Sequence, residues 1–162
     1  MKLKLAAPLL IAVAVAGCNG EPAPVPYDVK ALMATDVQPT AQIYWNAVQY
    51  VSDAAGLRKI EPKNDAEWAR TRQAAAKLRE YAEQLKSPAA SAGRGTDWSD
   101  YAQGLADVAV QAEQAAKERD PDKVFAVGGS IYNVCSACHE VYMPLPGGAH
   151  PAAAAAPSSN AK

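Results

Sequence analysis

The sequence of 162 residues predicts an all-α fold, an antiparallel four-helix bundle with up-down-up-down topology. Three observations lead to this prediction. Apolar residues recur three and four positions apart in four separate blocks, which is the helical period. Proline, glycine and capping residues divide the blocks and leave short connections between them. No strand-like alternation of apolar and polar residues competes with this period.

The first two blocks have clear boundaries. The first begins near Asp28 and runs to Gly56, and Pro39 inside it should kink or split the helix because proline lacks a backbone donor. The second begins at Asn64, a favourable N-cap, with Glu67 at the capping-box position. The apolar residues of the first block are Val29, Leu32, Met33, Val37, Ile43, Ala47, Tyr50, Val51 and Ala54. Those of the second are Trp68, Ala75, Leu78, Ala82 and Leu85.

The last two blocks are the most regular. The third opens at Thr96 or Asp97, and the fourth opens at Asp120 with Pro121 in the first helical position. The third carries the apolar stripe Trp98, Tyr101, Leu105, Val108, Ala112 and Ala115. The fourth carries Val124, Gly128, Ile131, Cys135, Cys138 and Tyr142. The adjacent glycines 128–129 cost the helix about 1 kcal/mol each relative to alanine, which close approach of another helix or a cofactor, or a kink, would explain.

The amino terminus has the features of a signal peptide. Lys2 and Lys4 precede an apolar run of 13 residues, too short to span a bilayer. Residues 15–18 read Val-Ala-Gly-Cys, which resembles the lipobox of bacterial lipoproteins, in which the cysteine is lipid-modified. The sequence therefore predicts a signal peptide over residues 1–17, a lipid anchor at Cys18 and a location in the bacterial periplasm, tethered to a membrane. The alternative is ordinary cleavage that leaves Cys18 as a free thiol.

Composition divides the rest of the chain into three parts. Residues 18–26 are proline-rich and predict a stiff spacer. Residues 27–143 form the predicted helical domain, and residues 144–162 consist mainly of Pro, Gly, Ala and Ser, which predicts a disordered tail. After the two lysines of the signal are removed, 14 basic and 17 acidic residues remain. Because they form no basic stripe, nucleic acid is not expected as a partner.

The strongest functional signal is the pentapeptide Cys-Ser-Ala-Cys-His at residues 135–139. A C-x-x-C-H run is the attachment signature of c-type haem. Residues three and four apart share one face of a helix, so Cys135, Cys138 and His139 can all face a single macrocycle. The two cysteines would form thioether bonds to it, and the histidine would be an axial ligand of its iron. A disulfide or half a zinc site is the alternative, but only Cys18 and His150 remain as further cysteine and histidine. The motif predicts one covalently bound haem c.

Topology suggests a sixth ligand for the iron. In an up-down-up-down bundle the first helix starts at the end where the fourth finishes, and Met33 and His139 then lie at similar depths of roughly 7 and 6 Å. Met143 follows on the proximal side and cannot cross the macrocycle. His150 has the reach, but ordering its tether costs about 1 kcal/mol or more per residue. Met33 is the preferred ligand, and an open site, His150 or water are the alternatives.

A helical domain with C-x-x-C-H in its last turns resembles the cytochrome c′ family, and within it the cytochrome c-556 type. The resemblance covers residues 27–143 and implies thioether bonds at Cys135 and Cys138, a proximal ligand at His139, and Met33 at the first-helix position that faces the iron. In that family a methionine there gives a six-coordinate electron carrier, whereas an aliphatic or aromatic residue gives a five-coordinate haem that binds nitric oxide or carbon monoxide. Family members commonly carry Arg or Lys four residues after the histidine, where this chain has Met143.

The expected function is single-electron transfer by a His/Met-ligated haem, with periplasmic or membrane redox proteins as partners. No general acid, base or nucleophile stands out, so no enzymatic activity is expected. The resemblance also allows a homodimer. Two alternatives stay open: a five-coordinate haem protein that binds nitric oxide or carbon monoxide, and a haem-free helical lipoprotein with an interaction role.

Overall fold

The computed structural model describes residues 27–143, of which 77% are helical. The structure is therefore mostly helical, as the sequence predicts, with a small two-stranded sheet in addition. The predicted signal peptide, lipidation site at Cys18, spacer, tail and His150 lie outside the described residues. The elements in chain order are α1 (Val29–Leu32), a π-helical turn (Met33–Val37), α2 (Gln38–Ala47), β1 (Gln49–Asp53), β2 (Gly56–Ile60), α3 (Asp65–Lys86), α4 (Pro88–Ser91), α5 (Thr96–Glu118) and α6 (Pro121–Tyr142).

The π-helical turn divides the first helical segment, residues 29–47, close to the proline that was expected to split it. Gln38 donates its backbone N–H to the carbonyl of Met33, a bond that spans five residues instead of four. Pro39 follows in the first turn of α2, where its missing N–H is tolerated. A π-helical turn adds one residue to the local register, so side chains before it are rotated relative to those after it.

The end of the first block differs from the prediction. The helix stops at Ala47, and Tyr50 and Val51 lie in β1, which pairs antiparallel with β2. Two local causes are visible. Aromatic and β-branched residues favour extended backbone, and the Asp53 side chain accepts the N–H of Ala55 in an Asx-type turn before Gly56, whose φ is 109°. The expectation of helix through residue 54 was wrong.

Capping residues start two of the long helices, α3 and α6, where the sequence placed them. The Asn64 side chain accepts the N–H of Glu67 at 3.0 Å. The Glu67 carboxylate accepts the N–H of Lys63, one residue before the usual capping-box partner. Asp120 caps α6 by accepting two backbone N–H groups, and Pro121 is the first helical residue. The predicted starts of α3 and α6 are thus confirmed.

Helices α3 and α5 pack against each other in opposite directions. Near the end of α3, the Leu85 carbonyl accepts the indole N–H of Trp98, at the start of α5, at 2.7 Å. At the opposite end, Asp65 forms a 2.8 Å ion pair with Arg119. Alanines line much of the buried face of both helices, and their small side chains allow close packing. The buried alanines are Ala74, Ala75, Ala82, Ala102, Ala106, Ala109, Ala112, Ala115 and Ala116.

Helix α6 packs on α5 and also on α2, again in opposite directions. The ring of Tyr142, the last residue of α6, contacts Trp98 at the start of α5 with a centroid separation of 4.9 Å. Nearer its start, the carbonyl of Gly128 accepts the indole N–H of Trp45 at 2.9 Å. Tyr44 beside it is almost fully buried and donates its hydroxyl to the carbonyl of Ala112. α2 also packs on α3.

None of the helices within residues 27–143 has the length and apolar character needed to cross a membrane.

The two adjacent glycines of α6 should respond differently to alanine. A Cβ at Gly129 would meet nothing within 4 Å, so Gly129→Ala should raise the free energy of unfolding by about 1 kcal/mol through helix propensity alone. At Gly128 the new Cβ would lie 3.3 Å from Cδ1 of Trp45, so Gly128→Ala should stabilise less or destabilise. Urea denaturation of both variants checks this order, and equal stabilisation by the two would contradict the tight Trp45 contact.

Candidate haem-binding site

The four predicted site residues line one cavity. Its walls lie close together and enclose about 40 Å³, between the first helical segment, α3, α5 and α6. This volume is far below the roughly 300–1,000 Å³ of usual ligand pockets, so a macrocycle would bind here only if these side chains moved apart. Cys135, Cys138 and His139 line the cavity from α6, and Met33 lines it from the first helical segment. Residues more than 100 positions apart in the sequence therefore meet at a single site.

The rest of the cavity is apolar or aromatic. Val37 follows Met33 on the first segment, Leu105 comes from α5, and Val134 precedes the cysteines on α6. The cavity-lining residues include no Asp, Glu, Lys or Arg. An apolar wall with a few convergent donor groups is typical of sites for large planar cofactors.

Burial controls the chemistry of the two cysteines. Both thiols are half-buried and form no disulfide. Burial raises the pKa of Cys138 to about 11, and the nearby Cys135 adds to the rise while Arg94 opposes it. Burial also raises the pKa of Cys135. Burial thus favours the neutral form of both thiols, which lowers their reactivity as nucleophiles.

His139 lies in the last turns of α6, one position after Cys138. It is exposed, and its imidazole has no hydrogen-bond partner among residues 27–143. Both ring nitrogens are thus available, one of them for a metal at the cavity mouth. Since Cys135 lies one helical turn before it, the same face of α6 carries all three groups of the motif.

Met33 is half-buried and begins the π-helical turn. The sequence predicts similar depths for Met33 and His139 along their helices, and both residues line the same cavity. Met143, by contrast, follows the end of α6, is 55% exposed and is absent from the cavity wall. Between the two methionines of the described chain, only Met33 is placed to contribute a thioether sulfur to this site.

An aromatic cluster supports the α6 wall, and the sequence indicated its members only as core residues. Trp98 and Tyr101 line the cavity and pack edge-to-face on Tyr142, with centroid separations of 4.9 and 6.1 Å. The Tyr142 hydroxyl donates to the carbonyl of Arg94 at 3.0 Å. The Arg94 guanidinium lies 4.5 Å from the Trp98 ring centroid.

Arg94 is the functional-site residue that the sequence reasoning missed. It precedes α5 and brings a permanent positive charge close enough to Cys138 to oppose the rise in that thiol's pKa. Its charge therefore lies near the end of α6, where Met143 supplies none. No local motif marks this position, because the contact depends on how α5 and α6 pack.

The donor set fits haem better than a bare metal ion. Within residues 27–143, no three His, Cys, Asp or Glu side chains converge to hold an ion. Structural zinc takes four protein ligands. Haem iron takes only one or two axial ligands from the protein, which His139 with or without Met33 can provide.

Two larger grooves lie elsewhere, each enclosing more than ten times the volume of this cavity. One lies between α2 and α3, and the other lies between α2, β1 and α6. No cysteine or histidine lines either of them. Choosing a site by cavity volume alone would therefore select a groove without the Cys and His side chains that could bind a cofactor.

Comparison with known proteins adds no relative. No family model, no curated protein and no solved structure matches this chain. The resemblance to the cytochrome c′ family therefore stays a prediction.

The burial of the two thiols leads to a prediction for protein that is produced without haem. At pH 9 the folded chain should react with iodoacetamide at Cys138 roughly tenfold or more slowly than the unfolded chain, because only the thiolate attacks. The rate should keep rising as the pH passes through about 11. Mass spectrometry of the alkylated peptides measures this, with chain in urea as the control. Equal rates in the two states would show that Cys138 is not buried.

Proposed function

We propose that this protein is a c-type cytochrome that carries single electrons through a low-spin haem. One observation carries the proposal: Met33, Cys135, Cys138 and His139 all line one apolar cavity. The proposed haem is covalently attached through Cys135 and Cys138, with His139 as the proximal ligand and Met33 as the sixth. The proposal includes no general acid, base or nucleophile, so we do not propose an enzyme.

We also propose that the long helical segments form an up-down-up-down bundle. Three contacts near helix ends support antiparallel neighbours. Tyr27, just before α1, donates its hydroxyl to Gln84, near the end of α3, and the contacts of Trp98 with Leu85 and with Tyr142 join the end of α3 and the end of α6 to the start of α5. In such a bundle, cofactor ligands project from facing helices into the core.

Each residue of the cavity has a role in this proposal. Cys135 and Cys138 would tether the cofactor to α6, and His139 would bind the iron from the same face. The apolar walls, which include Val37 and Leu105, would exclude water from the cofactor. Haem, when bound, supplies an iron that alternates between ferric and ferrous states. Met33 as a thioether ligand is expected to raise the reduction potential.

The location of the protein is proposed from sequence features alone. A signal peptide over residues 1–17 and lipidation at Cys18 would export the chain and attach it to a membrane in the bacterial periplasm. Residues 18–26 would separate the anchor from the domain. Periplasmic or membrane redox proteins are then the expected partners.

The sixth ligand decides between electron transfer and gas binding. The optical spectrum of exported protein should show low-spin haem in both oxidation states, unchanged by carbon monoxide. Met33→Ala should convert it to a high-spin species that binds carbon monoxide, since the thioether sulfur is lost. Met143→Ala is the matched control and should leave the spectrum unchanged, because Met143 lies outside the cavity. A wild-type protein that is high-spin and binds carbon monoxide would instead favour a gas-binding haem protein.

Covalent attachment is tested separately. In protein exported from a host that assembles c-type cytochromes, haem should stay with the chain after acid–acetone extraction. Replacing both Cys135 and Cys138 with alanine should abolish this retention, whereas His139→Ala should retain the haem but lose the low-spin spectrum. Complete extraction of haem from the unmodified protein would overturn the proposal and favour a haem-free helical lipoprotein.

A further inference from the structure

An exposed aromatic groove lies on the side of α6 near its start, between α2 and β1. Phe125 and Tyr132 of α6 are 51% and 61% exposed, and Tyr50 of β1 is 38% exposed. These rings are ordered by edge-to-face contacts, with centroids 4.9 Å apart for Tyr50 and Phe125 and 6.4 Å apart for Trp45 and Tyr132. Large exposed apolar patches of this kind mark binding surfaces.

A glycine on the floor of the groove supports the same conclusion. The absence of a side chain at Gly128 is explained by packing within the domain, since it lets Trp45 approach closely. No such packing explains Gly129 in the described chain, because a Cβ there would meet nothing within 4 Å. A glycine in the interior of a helix nevertheless costs about 1 kcal/mol. Gly129 lines the groove, so its missing side chain keeps the floor open for a group from outside the described residues.

The lining restricts what can bind. No charged residue lines the groove, whose walls are aromatic and aliphatic apart from the polar, uncharged Gln49. An uncharged segment with small apolar side chains therefore fits best. Aromatic grooves commonly bind proline-containing segments in the polyproline II conformation, because these segments are already extended and lose little entropy on binding.

We propose that this groove binds the carboxyl-terminal segment of the same chain, residues 151–157. That segment reads Pro-Ala-Ala-Ala-Ala-Ala-Pro, with no charge and no large side chain. Its composition matches the neutral aromatic walls of the groove. The inference is independent of whether the chain binds haem.

The length of the chain allows this arrangement. On α6, about 17 Å of helix separates Tyr132, at the near end of the groove, from Met143, where the described chain ends. Residues 144–150 in extended form cover about 22 Å, enough to return along α6 to the groove. Residues 151–157 then cover another 22 Å or so, which exceeds the length of the groove-lining part of α6, about 12 Å.

Docking would be intramolecular and reversible. A short tether gives the segment a local concentration in the millimolar range, so weak contacts suffice. Ordering the segment costs backbone entropy that offsets part of the gain. We therefore expect the populations of the docked and free forms to differ by only a small factor.

The test is limited proteolysis with elastase, which cleaves after alanine, on the full-length chain as exported. Gly129→Leu fills the groove floor with a side chain that fits the helix, so the variant should fold. Its tail should be cleaved about threefold faster than that of the unmodified chain, the factor expected if the segment is docked about two thirds of the time. Ser130→Leu is the matched control, because Ser130 is exposed and does not line the groove. It should leave the rate unchanged.

Other outcomes would overturn the inference. Equal cleavage rates in all three proteins would show that the tail does not occupy the groove. The groove would belong to a second copy of the chain if sedimentation showed a dimer that persists after truncation at Met143 but dissociates in Gly129→Leu. Circular dichroism melts of the variants confirm that rates are compared between folded proteins. None of these readouts depends on haem, so failure here leaves the proposed function untouched.

Discussion

Trp98 stands where α3, α5 and α6 meet, and the candidate site depends on its indole ring. Its N–H donates to the Leu85 carbonyl at 2.7 Å, and its ring packs on Tyr142. The same ring forms part of the cavity wall. Because the indole is buried with its one donor satisfied, it fixes the distance between the ends of α3 and α6. The turns of α6 that carry Cys138 and His139 are positioned by this contact.

Local chemistry made much of this fold predictable. Asn64 and Asp120 satisfy backbone donors at helix starts, and Pro39 lies in the first turn of α2, where no donor is needed, so each acts through near neighbours in the sequence. The spacing of the motif placed Cys135 and His139 on one face of a helix, and the structure brings Met33 of the first helical segment to the same cavity.

Features that depend on distant contacts were not predictable. The hairpin is attached to α6 by Asp122, which accepts a hydrogen bond from Tyr50 and pairs with Lys59 at 2.7 Å. The periodicity of residues 49–54 alone also suits a helix, so the local preference of Tyr50 and Val51 for extended backbone did not decide the prediction, and these long-range partners add to that preference in the folded chain. Arg94 is a similar case. A single arginine in a connection carries no signal, and its role near Cys138 arises only when α5 and α6 pack together.

The two candidate axial ligands, Met33 and His139, belong to helical segments of different regularity. His139 belongs to α6, a continuous helix of 22 residues, and lies within one turn of both proposed tethers. Met33 belongs to a π-helical turn, a rare conformation that interrupts the regular α-helical hydrogen-bond pattern. If both residues bind the iron as proposed, we therefore expect Met33 to be displaced more easily than His139. Under the proposed function, the first helical segment would therefore decide between electron transfer and gas binding, whereas the attachment motif would decide only which cofactor binds.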